Sequence, residues 1–192
     1  MDASLLLESI GKHVSLDKNE KELLLSLLKE RRIRKRQYLL QEGDVCKYTA
    51  FVNKGCLRSY CVGKNGVEHI FQFAPEGWWT GDIQSFNTQT PSIMNIDALE
   101  DSEIFLISKA DMDEFYLKVP KYERFSRIIL ENAFIAHQER IMQSICFTAA
   151  ERYDYFCKKY PFLVQRLPQT QIASYLGVTP EFLSKLRKQL LK

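Results

Sequence analysis

Between residues 37 and 108 the chain breaks into short runs of strand-forming residues separated by glycine turns. From Lys109 onward that pattern gives way to helical spacing. Residues 38–40 are followed by Glu42-Gly43-Asp44, and residues 48–53 by Lys54-Gly55. Residues 56–62 lead through Lys64-Asn65-Gly66 into residues 67–73. Asn-Gly between two strand-like runs signals a hairpin, because both positions accept positive φ. Pro75-Glu76-Gly77 makes another turn, and residues 92–98 and 103–108 complete the set. Short strands at regular intervals with glycine turns predict a sandwich, jelly roll or small barrel.

Helices flank this β-region. Asp17 with Glu20 three residues on forms a capping box, and Leu23, Leu24, Leu27 and Leu28 then make an amphipathic stripe ending near Glu30. Arg31, Arg32, Arg34, Lys35 and Arg36 follow. They suit a phosphate backbone or, more simply, a solvated connection into the first strand. Residues 110–119 read as a short helix stopped by Pro120, and Lys121 to about Cys146 as a long one. Phe125, Ile128, Ile129, Ala133, Phe134, Ile135, Ala136, Ile141, Met142 and Ile145 spread widely around that helix. A helix packing on one surface shows a narrower stripe. The broad one predicts two partners, the β-domain and a second subunit, with burial inside a monomer as the alternative. Phe125, Ile128, Ile129, Ile135 and Met142 are the candidate dimer interface. Thr148 and Glu151 make a second capping box, opening a helix with Tyr153, Phe156 and Tyr160 that Pro161 ends. The expected division is residues 1–120, 121–146 and 147–192.

Composition bounds the class. The chain has 192 residues, 45% apolar and 27% charged, as a globular protein does. No apolar run approaches the roughly 20 residues of a membrane span, and the N-terminus lacks the pattern of a secretory signal. The expected location is the cytoplasm. Five cysteines, an odd count without a C-x-x-C pair, read as reduced packing residues and not as a disulfide or metal framework. Residues 1–120 hold 15 basic and 18 acidic side chains, whereas residues 121–192 hold 12 and 6. A basic C-terminal third on an acidic body points to a polyanion-binding module there.

That third carries the most specific pattern. Pro168 precedes a short helix over residues 169–175, with Ile172, Ala173 and Leu176 inward. Leu176-Gly177-Val178 is a tight turn in which glycine allows the left-handed conformation. Thr179-Pro180-Glu181 then starts a helix: Thr caps it, Pro fits its first position, and Glu favours its positive end. Phe182, Leu183, Leu186 and Leu190 are expected inward. Glu181, Ser184, Lys185 and Lys188 are expected on an outer face, with Arg187 and Lys192 flanking it. This is a helix-turn-helix pattern. With Gln169, Thr170 and Thr179 at the two helix starts, Glu181, Ser184, Lys185, Arg187 and Lys188 form the candidate DNA-binding set. Lys donates to guanine, Glu accepts from cytosine, and hydroxyls meet phosphates. A plain helical hairpin with a solvated basic end is the alternative.

The run Gln171-Ile172-Ala173-x-x-Leu176-Gly177-Val178-Thr179-x-Glu181-x-x-Ser184-Lys185-Leu186 resembles the helix-turn-helix of the CRP/FNR family of bacterial transcription regulators. Glu42-Gly43-Asp44, Lys54-Gly55 and Gly81-Asp82-Ile83 fall in the order of that family's cyclic-nucleotide-binding-like β-roll, so the resemblance covers nearly the whole chain. It implies an α+β fold: an N-terminal jelly-roll-like β-roll, a long dimerisation helix and a C-terminal helix-turn-helix. It also implies a homodimer on near-palindromic DNA that engages RNA polymerase.

The departures from the family are informative. Cyclic-AMP binders in it carry a Gly-Glu-Leu segment, whose Glu holds the ribose, and an Arg-Ser pair, whose Arg meets the phosphate. This chain has Asp82 for the Glu and Pro91-Ser92 for the pair. Proline donates nothing where an arginine fork would bind phosphate, so cyclic AMP is not the expected effector. Phe71, Phe73, Gly81, Asp82, Ile83 and Ser92 remain candidates for an effector pocket, with β-roll packing as the alternative. No cysteine precedes Cys46, unlike the family's iron–sulfur sensors, and His69 has no nearby His partner for haem or metal. Pro180 stands where the family places an arginine, and Lys185 replaces another. The sequence ends at Lys192, so no β-wing is expected. An enzyme is not expected: the three histidines are far apart, and no nucleophile elbow or Walker motif is present. The competing reading is a degenerate sensor that dimerises without binding specific DNA.

Overall fold

The computed structural model describes the backbone of residues 1–190 and the side chains of residues 1–189. Lys192 and the Leu190 side chain, expected respectively to flank the outer face and to point inward, lie outside the described residues. Two helices open the chain, α1 (Ser4–Gly11) and α2 (Lys18–Leu27). Strands β1 (Lys29–Ile33), β2 (Tyr38–Leu40), β3 (Tyr48–Lys54), β4 (Leu57–Val62), β5 (Glu68–Ala74) and β6 (Trp79–Thr80) follow. Then come α3 (Ile83–Thr88), β7 (Asn95–Ala98), β8 (Ser102–Ser108), α4 (Lys109–Lys118) and α5 (Lys121–Cys146). The chain closes with α6 (Ala149–Lys159), α7 (Pro161–Arg166), α8 (Gln169–Leu176) and α9 (Pro180–Leu190). Among the described residues no helix is long and apolar enough to cross a membrane, and no strand follows β8.

The chain forms two compact units. The first holds Met1–Val62 and Phe71–Ile129, the second Gly63–Ile70 and the described residues from Leu130 onward. Helix α5 is therefore shared: its first nine residues pack in one unit and the rest in the other.

Two four-stranded sheets, ordered β1-β8-β3-β6 and β2-β7-β4-β5, make the β-roll, all of it in the first unit except Glu68–Ile70 of β5. Ile33, Leu40, Val52, Leu57, Ile96, Ala98, Ile104 and Leu106 form one buried cluster. The alternate residues Phe51, Phe105 and Ile107 belong to a second cluster with Leu6, Ile10, Leu24, Met112, Phe115, Tyr122 and Phe125 of the helices. Helices thus cover the outer face of the first sheet. That is why β3 and β8 are apolar at successive positions instead of alternating. Both predicted N-terminal capping boxes are present: Asp17 accepts from Glu20 N at 2.9 Å, and Thr148 from Glu151 N at 3.3 Å.

Three local expectations change. Helix α2 ends at Leu27, and Arg31 and Arg32 lie within β1, not in a connection. Strand β1 pairs only with β8 and forms a sheet edge, and Arg32 approaches Glu103 at 3.5 Å. Exposed cations on an edge strand discourage pairing with another chain. Within the expected β-region, residues 83–88 are helical because Asp82 caps them, its Oδ1 accepting from Ser85 N at 3.1 Å. Pro161 does stop α6 but also opens α7 at its first position, where a missing N–H costs nothing.

The outer face of the second sheet carries a buried ion pair. Arg58 meets Asp97 in a bidentate fork at 2.7 and 3.0 Å, with its guanidinium 4.1 Å from the Tyr60 ring centre. The β3–β4 turn is the tightest point. Gly55 has φ +97°, and a Cβ there would lie 2.2 Å from Ser102 Oγ and 2.8 Å from Ser102 Cα. Gly43 has a similar φ of +91° but open space around it. Gly55→Ala is therefore expected to cost about 3 kcal/mol, strain plus overpacking. Gly43→Ala should cost about 1 kcal/mol, strain alone. Urea denaturation of both variants checks the difference, and equal losses would contradict it.

Candidate nucleic-acid interface and effector cassette

The second unit is built around the helix-turn-helix. Ile172, Ala173 and Leu176 of α8 and Leu183 and Leu186 of α9 are buried, together with Tyr153, Phe156, Leu163 and Leu167. Gly177 takes φ +70°, and Val178 N donates to Ala173 O at 3.0 Å, closing α8. Thr179 Oγ1 accepts from Phe182 N at 3.2 Å and caps α9. The expected turn and cap are thus both formed.

With Leu183 and Leu186 inward, Thr179, Glu181, Ser184, Lys185 and Lys188 are exposed. Thr170 is exposed at the start of α8. Gln169 differs: it is half-buried, and its Oε1 is out of solvent with no hydrogen-bond partner among the described residues. Arg187 is also half-buried. It lies beside the Tyr153 hydroxyl, whose pKa burial and Cys157 hold above the usual value against the pull of that guanidinium. Phe182, expected inward beside Leu183, is 48% exposed. One residue is a 100° turn on a helix, and the inward stripe of α9 is narrower than the apolar sequence pattern.

Helix α8 is pinned by groups that sequence spacing did not reveal. Ser174 Oγ donates to Glu68 O at 2.6 Å and accepts from Ile70 N at 3.2 Å. Arg140 of α5 donates to Ile70 O at 2.7 Å and to Tyr175 O at 2.8 Å, with its guanidinium 4.0 Å from the Tyr175 ring centre. Glu139 accepts from the Tyr155 hydroxyl at 2.8 Å and from Lys159, and those hydrogen bonds hold its pKa below the usual carboxylate value. Burial first, and then Arg140, depress the pKa of His137.

Helix α5 places the proposed interface residues unequally. Phe125 is 2% exposed inside the first unit's core, and Ile129 packs against the same cluster. Phe125 is therefore not available to a second subunit, because Tyr122, Phe115 and the N-terminal helices already cover it. Ile128 is half-buried. Ile135 and Met142 are exposed, as are Leu130, Phe134, Ile141 and Ile145, the last at 73%. Phe134 and Ile141, like Ile135 and Met142, are seven residues apart, and Leu130 lies four before Phe134. Seven-residue spacing of exposed apolar side chains is the pattern of a coiled-coil seam.

In the β-roll, Asp82 and Ser92 are buried against each other, with Oγ of Ser92 2.7 Å from Asp82 Oδ2. The other carboxylate oxygen of Asp82 caps α3. Ser85 Oγ accepts from Cys46 N at 2.8 Å and donates to Thr90 O. Gly81 and Ile83 flank Asp82, and Ile83 is exposed. On β5, Phe73 is buried while Phe71 is exposed. Residues 81–92 contain no Lys, Arg or His. A phosphate there would meet a carboxylate and no cation from this segment. Among the described residues no three His, Cys, Asp or Glu side chains gather as they would around a metal ion.

Comparison with known proteins agrees with this architecture. The sequence pattern of the cyclic nucleotide-binding domain matches residues 30–118. The fumarate and nitrate reduction regulatory protein of Vibrio cholerae is 27% identical over 184 residues, 90% of this chain and 73% of that protein. The structure of FixK2 from Bradyrhizobium japonicum superposes with a TM-score of 0.71 at 20% identity, covering 85% of this chain and 84% of that one. A CRP/FNR-family transcriptional regulator from Eubacterium rectale gives 0.70 at 16% identity, covering 92% and 84%. With a nucleotide-binding-type β-roll, a long connecting helix and a glycine-turned helix-turn-helix in that order, the chain is similar over most of its length to transcription regulators of the CRP/FNR family.

Proposed function

We propose that this regulator binds a near-palindromic DNA site as a homodimer, reading it with α9, and that its β-roll does not respond to cyclic AMP. The carrying observation is the exposed polar face of α9. Glu181, Ser184, Lys185 and Lys188 stand opposite the buried Leu183 and Leu186, on a helix whose start is capped by Thr179. Such a face suits the major groove, where Lys185 donates to guanine and Glu181 accepts from cytosine. Lysine makes one donor contact where an arginine would make a fork, so the preferred half-site differs from an arginine-read one. Lys188 serves the phosphate backbone. Arg187, engaged beside Tyr153, contributes chiefly to packing. RNA polymerase is the further partner proposed from the likeness to that family.

The exposed heptad-spaced side chains of α5 support the dimer, since a contiguous apolar face of this kind marks an interaction surface. Two copies joined there would present two α9 helices to successive major grooves about 34 Å apart. The residues of the functional division are then 1–120 for the β-roll module, 121–146 for the joining helix and 147–192 for the DNA-binding module. An intact turn, cap and polar face favour DNA reading over a degenerate sensor.

Selection from random duplex DNA is expected to enrich a two-fold-symmetric motif. Lys185→Ala and Glu181→Ala should change the preferred bases, each by about 1–3 kcal/mol at its position. Lys188→Ala should weaken all sequences alike and lower the salt slope by about one. Unchanged selection by the first two variants would exclude α9 as the reader. Sedimentation should show a dimer, with Phe134→Glu or Ile141→Glu shifting it to monomer and weakening DNA binding together. In titration calorimetry, cyclic AMP at about 1 mM should give no binding heat. A clear isotherm would contradict the reading of the cation-free segment.

A further inference from the structure

Phe182 has no place in the core of its own unit. It sits in the first turn of α9, between exposed Glu181 and buried Leu183, and three residues before Lys185. Nearly half of its surface is exposed, 48%. Its backbone N–H is held by the Thr179 cap at 3.2 Å, so the position of the residue at the helix start is defined. At 100° per residue, the ring projects from the flank of the polar face, on the side shared with Lys185 and Gln189. The other exposed neighbours, Glu181, Ser184, Lys185 and Lys188, can each make hydrogen bonds or charge contacts with DNA. Phe182 can do neither.

The N-terminal residues of a recognition helix are those that approach base edges. In the major groove the apolar group on a base edge is the 5-methyl of thymine. A phenyl ring beside a phosphate gains nothing, whereas a ring against that methyl removes apolar surface of both from water. We infer that Phe182 is a specificity-determining residue that reads the methyl group of one thymine in each half-site, beside the base pairs contacted by Glu181 and Lys185. This rests on α9 being the recognition helix.

The test separates the two claims. With the selected site in hand, each thymine is replaced singly by deoxyuridine, which removes the methyl and leaves the pairing edge intact. For the wild-type protein one substitution per half-site is expected to weaken binding about fourfold, the loss for one buried methyl group. Phe182→Ala should bind the thymine and uracil sites equally at that position. Phe182→Leu should keep most of the difference. Thermal unfolding should show each variant fully folded at the binding temperature, since Phe182 is 48% exposed. Wild-type binding within twofold for every uracil site overturns the inference alone, as does a uracil effect that persists in Phe182→Ala. Unchanged DNA affinity and methyl response in Phe182→Ala would assign the ring to a protein partner. Failure to select any site overturns the assignment of α9, and this inference with it.

Discussion

Burial of Leu183 and Leu186 is the contact on which the proposed DNA-reading surface depends. An isolated helix of 11 residues is marginal in water. Tertiary burial of one side holds α9 in place and, by the same act, turns Glu181, Ser184, Lys185 and Lys188 outward. The glycine at 177 makes this possible by taking φ +70°, so that α8 can end and the chain reverse within three residues. Ser174 and Arg140 then hold α8 through main-chain groups of residues 68, 70 and 175. Contacts to backbone atoms orient a helix without depending on the side chains of the segment they grip.

The β-roll keeps the architecture of a nucleotide-binding domain while changing the chemistry of its 81–92 segment. Asp82, whose carboxylate would be poorly placed beside a phosphate, is occupied twice over, by a helix cap and by Ser92. Ser85 ties the same segment to Cys46 and Thr90. Hydrogen bonds that satisfy buried polar groups internally leave fewer of them to greet a ligand. The fold itself does not depend on what that segment binds, because the sandwich packing of Val52, Leu57, Ile96 and Ile104 does not involve the segment's charge.

Much of the fold was legible from pattern. Glycine turns marked most strands, two capping boxes marked helix starts, and the Thr179-Pro180-Glu181 start of α9 lay within one residue of its observed position. The misses have physical causes. Arg31 and Arg32 read as a connection because a charged edge strand lacks the apolar alternation that betrays an inner one. Residues 83–88 read as β-structure because a six-residue helix is too short for a 3.6-residue period to emerge. The Arg58–Asp97 fork and the Ser174 clasp join residues far apart in the chain, and spacing carries no signal for such pairs.

The order of elements, the turn and cap of the helix-turn-helix, and the lack of a cation between residues 81 and 92 can all be read from the sequence. These are local properties, set by backbone preference and side-chain chemistry at each position. Which apolar residues are inside emerges from the packing of the folded chain. Phe125 and Phe182 are both apolar residues of helices, yet one is sealed in the first unit's core and the other is about half exposed. Hydrophobicity states that a side chain prefers cover. What supplies that cover depends on which neighbouring elements arrive, and that is a matter of packing in three dimensions.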